Sequence, residues 1–141
     1  MTSQERLFSP KTNYMQKQVV HTQNAPKAIG PYSQAVWAGE LLFLSGQIAL
    51  HPSSGELIQT NIQDETNQVM QNIKAILVAA DLDFSNIIKT SIFLKNMDDF
   101  AAVNEVYATY FMSDFPARET VQVSKLPKDV NVEISVIAMK S

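Results

Sequence analysis

The chain contains no cysteine. That excludes a disulfide framework, a thiolate metal site, a cysteine nucleophile and an iron–sulfur cluster, and it suits a reducing, cytoplasmic location. Histidine is almost as scarce: His21 and His51 stand far apart, with no HxxxH or HExxH spacing, so no metal site is expected. Glycine occurs four times, at Gly30, Gly39, Gly46 and Gly55, which leaves no P-loop and no GxGxxG and argues against ATP or a dinucleotide as ligand. No apolar run approaches membrane-spanning length. Charged residues are 18% of the chain, below the usual quarter, and the net charge of −3 supplies no positive field for nucleic acid. Arginine is the sharpest scarcity. Only Arg6 and Arg118 occur among eleven basic residues.

What is present fits one domain of ordinary size: 141 residues, 45% of them apolar. Residues 1–17 are polar and aperiodic, lack the apolar stretch of a secretory signal, and read as an extension outside a domain spanning residues 18–141. Short strands are predicted around Val19, over 33–38 and over 41–48, the last two joined at Gly39-Glu40 by a hairpin. Val69, Ile73, Ile76, Leu77 and Ala80 form one stripe of a helix over 64–80. Alternation over 86–95 predicts a strand with Ile88, Thr90, Ile92 and Leu94 on one face. Asp98 is the expected N-cap of a second helix reaching about residue 112. Strands over 119–125 and 131–139 close the chain, with Pro127-Lys-Asp turning one back antiparallel onto the other. The order β-β-β-α-β-α-β-β describes an α+β sandwich, a mostly antiparallel sheet with two helices on one face. Its other face has no cover within the chain, so self-association is expected there.

Arg118, at a strand end, can hold a carboxylate by two parallel charge-assisted hydrogen bonds that lysine cannot reproduce; its bland alternative is a solvated or locally paired arginine. Strand alternation sets Arg118 and Thr120 on one face and Glu119 on the other. Antiparallel pairing about the Pro127 turn would bring Thr120 and Glu133 to nearby rungs, where a carboxylate near an arginine can orient a water as general base; a sheet carboxylate in solvent is the alternative. Asn104 lies in the apolar arc of the second helix, where a buried amide needs partners, either a loop backbone or a ligand. Tyr32 and the Ser45-Gly46 pair offer two hydroxyls and a glycine after a buried strand, a common mark of close approach.

Three segments carry a resemblance. Ala25-Pro-Lys-Ala-Ile-Gly-Pro-Tyr-Ser-Gln-Ala-Val, Leu44-Ser-Gly-Gln-Ile and the block from Phe115-Pro-Ala-Arg to Val132-Glu-Ile resemble the Rid (YjgF-like) family in order and spacing. The resemblance implies a chorismate-mutase-like fold, a homotrimer whose sheets pack into a central barrel, and ligand clefts between subunits. It implies hydrolysis of reactive 2-imino acids, formed from enamines such as 2-aminoacrylate, to 2-oxo acids and ammonia, with no cofactor. Arg118 matches the family's substrate-carboxylate arginine and Glu133 the glutamate associated with the attacking water. Tyr32, Ser45, Gly46 and Asn104 match cleft positions, with backbone groups near Thr120 and Gly46 aiding orientation. Many members carry a small residue after the arginine and cysteine next, where this chain has Glu119 and Thr120, a departure that bears on substrate range. The competing reading is a non-catalytic module that binds small 2-oxo or imino carboxylates. An RNA-binding role is disfavoured by the acidic chain and the absence of an aromatic–basic platform.

Overall fold

The computed structural model describes residues 17–141, so the expected extension over 1–17 lies outside it except for Lys17. Strands β1 (Gln18–Val20), β2 (Ala35–Ala38) and β3 (Leu41–Leu44) are followed by helix α1 (Ile62–Ala79), β4 (Ile87–Leu94), helix α2 (Phe100–Ala108), β5 (Ala117–Gln122) and β6 (Val132–Met139). They form one open six-stranded sheet in the order β1-β2-β3-β6-β4-β5. Every neighbouring pair is antiparallel except β4 with β5, which run parallel. The expected α+β sandwich is the fold observed.

Both helices lie on the sheet face that carries Leu42, Leu44, Ile92, Leu94, Val132, Ile134 and Val136, all buried. Helix α1 begins where the Asn61 side chain accepts the Asp64 N–H at 2.7 Å, a cap for one of the four orphan donors. It buries Val69, Met70, Ile73, Ile76 and Leu77. Helix α2 is shorter than its periodicity suggests. A 3₁₀ turn over Met97–Asp99 precedes it, capped by Asn96, whose side chain accepts the Asp98 N–H; the helix itself follows Asp99 without a side-chain cap, so Asp98 is not the N-cap. A bulge between Ile87 and Lys89 corrects the alternation of β4: Ile87 turns inward and Ile88 is left 39% exposed.

The opposite sheet face is uncovered, and Leu41, Phe43, Val121 and Met139 are exposed on it. The hairpin at Gly39-Glu40 is as expected, with Ala38 paired to Leu41 and Gly39 at a φ of 62°. Strand β3 ends at Leu44, before the expected boundary, but Gln47 rejoins the sheet by exchanging two backbone hydrogen bonds with Ile134 on β6. No described helix is long and apolar enough to cross a membrane.

Candidate functional site

The antiparallel β5–β6 pairing expected from the Pro127 turn does not form. Strand β4 lies between them: Ile92 faces Thr120 on one side and Ile134 on the other, while Phe93 faces Val121 and Glu133. Composition explains the choice. The apolar strands β4 (IIKTSIFL) and β6 (VEISVIAM) take the centre, and β5 (ARETVQ), the most polar of the three, takes the edge. Thr120 and Glu133 stand on adjacent rungs but about 10 Å apart across two strand spacings, and on opposite faces of the sheet.

Arg118 rises on the helix side of edge strand β5. Its Nη1 donates to Asn104 Oδ1 on α2 at 2.6 Å. The guanidinium carbon sits 5.6 Å from the Phe100 ring centre and 5.3 Å from that of Tyr107, within cation–π range of both. Tyr107 is anchored beneath by donating to Thr90 Oγ1 at 2.9 Å; burial raises its hydroxyl pKa, partly offset by Thr90 and by the nearby arginine charge. Asn104 therefore holds the arginine, not a loop backbone. Of five guanidinium donors one is used in a side-chain hydrogen bond within the described chain, and Arg118 lines a cavity of about 390 Å³ with Asn104, Tyr107, Phe115 and Pro116. Thr120, next along the same face, has a buried Oγ1 without a hydrogen-bond partner among the described residues.

Glu119 leaves this face. Its carboxylate accepts from Ser91 and pairs with Lys89 Nζ at 2.9 Å on the open side of the sheet. Those partners, Ser91 first, hold its carboxyl below the usual range. No negative charge from Glu119 therefore sits beside Arg118.

Tyr32, Ser45, Gly46 and Glu133 gather elsewhere, around a cleft of about 500 Å³ that also touches Lys27, Gln34 and Lys128. The exchange between Gln47 and Ile134 sets Gly46 against Glu133, so tightly that a β-carbon on Gly46 would fall 2.9 Å from the carboxyl carbon. The close approach expected at Gly46 is thus that of Glu133. Half-burial raises the Glu133 pKa above the usual carboxylate value, and no described cation pairs with it. Ser45 Oγ donates to Ser33 O at 2.5 Å, which spends its proton and leaves it able to accept, and Tyr32, in the cleft lining, is 53% exposed.

Two buried side chains that sequence reasoning passed over support this half. Gln34 accepts the Thr22 N–H at 2.7 Å and donates to Thr22 O and Pro26 O, fixing the loop before Lys27. Glu65, fully buried in α1, accepts from Asn131 N at 2.8 Å and Asn131 Nδ2 at 2.7 Å, fixing the entry to β6 two residues before Glu133. The signal for Glu65 was its place one turn ahead of Val69 and two ahead of Ile73, on the apolar stripe rather than the polar face. Among the described residues no cluster of three His, Asp or Glu side chains forms a cation site.

The six sequence-predicted side chains and Gly46 thus fall into two groups, Arg118 with Asn104 and Thr120, and Glu133 with Tyr32, Ser45 and Gly46. The two cavities share no lining residue. The profile of the family described as Endoribonuclease L-PSP matches residues 22–140. A RutC family protein of Pyrococcus horikoshii is 55% identical over 124 residues, covering 88% of this chain and 98% of that one. A human protein named 2-iminobutanoate/2-iminopropanoate deaminase is 45% identical over 124 residues, covering 88% and 90%. The crystal structure of E. coli TdcF with bound serine superposes with a TM-score of 0.84 at 45% identity, covering 88% of this chain and 99% of that one.

Proposed function

Since the chain belongs to the Rid (YjgF-like, endoribonuclease L-PSP) family, we propose that it hydrolyses 2-imino acids to 2-oxo acids and ammonia. An iminium carbon is already electrophilic, so the reaction needs positioning and proton transfer rather than a protein nucleophile. Arg118, steadied by Asn104 between two rings, holds the substrate carboxylate by its unspent donors. Glu133 takes a proton from a water as the water oxygen bonds to C2. The same proton returns to the nitrogen. The new hydroxyl then gives up its own proton to the Glu133 carboxylate as the C=O bond forms and the C–N bond breaks. The departing ammonia takes that proton as ammonium, leaving the 2-oxo acid. A carboxylate whose pKa is raised by burial is a stronger base than an exposed one for taking the proton from water. The 45% identity to the human deaminase, and the amino acid in the TdcF structure, support a small carboxylate as ligand. The net charge of −3 supports a small acid over a nucleic acid, and the lack of cysteine is in keeping with work in the cytoplasm.

The observation that carries this reading is the division of the site: neither half is complete in one chain. A homotrimer that packs the open sheet faces into a central barrel would cover Leu41, Phe43, Val121 and Met139 and set the Arg118 half of one copy against the Glu133 half of the next. The alternative, a binding module for small 2-oxo acids, needs the same arginine but no water placement.

The test couples a serine or threonine dehydratase to the protein and traps free imine with semicarbazide. Suppression of the semicarbazone by wild type, lost in Arg118→Ala and in Glu133→Gln, is the expected result. Binding of a 2-oxo acid without any such suppression would establish the binding module instead.

A further inference from the structure

We propose that the Glu133 cleft selects imino acids carrying a second acidic group, recognised by Lys27 and Lys128; this rests on the imine hydrolysis proposed above. The charged residues lining the cleft are those two lysines and Glu133. The ion pairs among the described residues are Lys89–Glu119 and Lys95–Asp129, so neither cleft lysine is neutralised by a carboxylate of the described chain. In a protein of net charge −3, two cations lining one cleft with no ion-pair partner among the described residues attract an anion.

The loops that present them are built rather than loose. Buried Gln34 pins Thr22 and Pro26 ahead of Lys27. Buried Glu65 pins Asn131 after Lys128. Lys128 itself sits at a φ of 54° and ψ of 21°, the left-handed region that glycine occupies at no steric cost. Asp129 beside it has a φ of 55°, so the two form a left-handed turn that fixes where Lys128 joins the cleft wall.

The adjoining pocket extends the same field. It has a volume of about 500 Å³, is lined by Lys27, Lys128, His21 and His51, and has no acidic side chain in its wall. His51 Nδ1 accepts the Ser53 and Ser54 N–H groups at 3.2 and 3.3 Å, so Nε2 carries the ring proton and is a further donor. The division of labour follows from geometry. The planar carboxylate next to the reacting carbon must be fixed, which suits the one guanidinium of Arg118. A distal carboxylate on a rotatable side chain varies in reach, which suits ammonium groups on flexible stems.

The experiment compares 2-iminosuccinate with 2-iminopropanoate, each generated in situ by an amino-acid oxidase with catalase present, by the rate of 2-oxo acid release and by semicarbazide trapping. Wild type is expected to favour the acidic imine in kcat/KM by about 10-fold at low salt, with the ratio shrinking as ionic strength rises. Lys27→Met and Lys128→Met each lower that ratio severalfold, and Lys128→Arg restores it. Lys128→Gly relieves the left-handed strain, so it raises Tm while lowering the ratio, a combination that a purely structural lysine would not produce. A wild-type ratio near one, or a ratio that the methionine variants leave unmoved, overturns the proposal while imine hydrolysis stands. Hydrolysis of neither imine overturns the reading on which it rests.

Discussion

Gly46 and Glu133 compete for one volume: a β-carbon at position 46 would lie 2.9 Å from both the carboxyl carbon and Oε2 of Glu133. The contact is with the movable end of a side chain, so the carboxylate, not the backbone, would give way. Gly46→Ala is therefore expected to leave Tm within a few degrees of wild type while kcat falls by about 10-fold or more, since a small misplacement of a catalytic group is costly. Steady-state kinetics beside a thermal melt read both quantities. An unchanged kcat would mean that the Glu133 position is irrelevant to turnover.

The raised pKa of Glu133 has two consequences. Activity that needs its ionised form should fall on an acid limb lying above the ordinary glutamate value of about 4.3, and Glu133→Gln should remove about 10²- to 10⁴-fold of kcat. Stability moves in the opposite sense. The folded state holds this proton more tightly than the unfolded chain, so the contribution is greatest below about pH 4.3 and is lost as pH rises through the folded value. Glu133→Gln should then flatten that slope and raise Tm at neutral pH. Melts between pH 4 and 8 check the sign.

Arg118 and Asn104 are coupled through a 2.6 Å hydrogen bond. Arg118→Lys keeps the charge but loses the planar fork, and it should cost about 2–3 kcal/mol of transition-state binding, roughly 30- to 150-fold in kcat/KM. Asn104→Ala leaves the fork but frees it to wander between Phe100 and Tyr107, so KM should rise more than kcat falls. A double-mutant cycle in which the two effects simply add would deny the coupling.

The open sheet face offers a separate test. Phe43, 42% exposed and opposite Ile137 in the register of β3 and β6, lies in the patch proposed to be covered by neighbouring copies. Phe43→Lys should convert a species of three times the 15.7 kDa chain mass into monomer in light scattering, and imine hydrolysis should vanish with it because the half-sites separate. A wild-type chain that is monomeric and active would refute the divided site.

Helix α1 ends in a Schellman arrangement: Leu82 N–H reaches Leu77 O at 2.9 Å and Asp81 N–H reaches Val78 O at 3.0 Å, with Asp81 at a φ of 59°. Glycine adopts that conformation without a β-carbon penalty. Asp81→Gly is expected to stabilise the protein by about 0.5–1 kcal/mol, measured by urea titration, with catalysis unaffected because Asp81 lines neither cavity.

Much of this was readable from local patterns. Period-two alternation places Glu133 opposite in facing to Val132 and Ile134, and separates Arg118 from Glu119, because side-chain direction along a strand depends only on the strand itself. The helix stripe of Val69, Ile73, Ile76 and Leu77 is likewise a property of one segment. The count of arginines singled out Arg118 without any structure.

Strand neighbours were decided elsewhere. The turn at Pro127 looked like a hairpin because local residues suggested one, yet burial favoured the apolar β4 and β6 side by side and left polar β5 at the edge. That one non-local choice divides the site, because it places β4 between Arg118 and Glu133. Which residues can act, and which way each faces, follow from the order of residues through backbone geometry and hydrophobic period. Which of them meet is a property of the packed fold, since strand order is settled by the burial of whole elements against one another and not by any short run of residues.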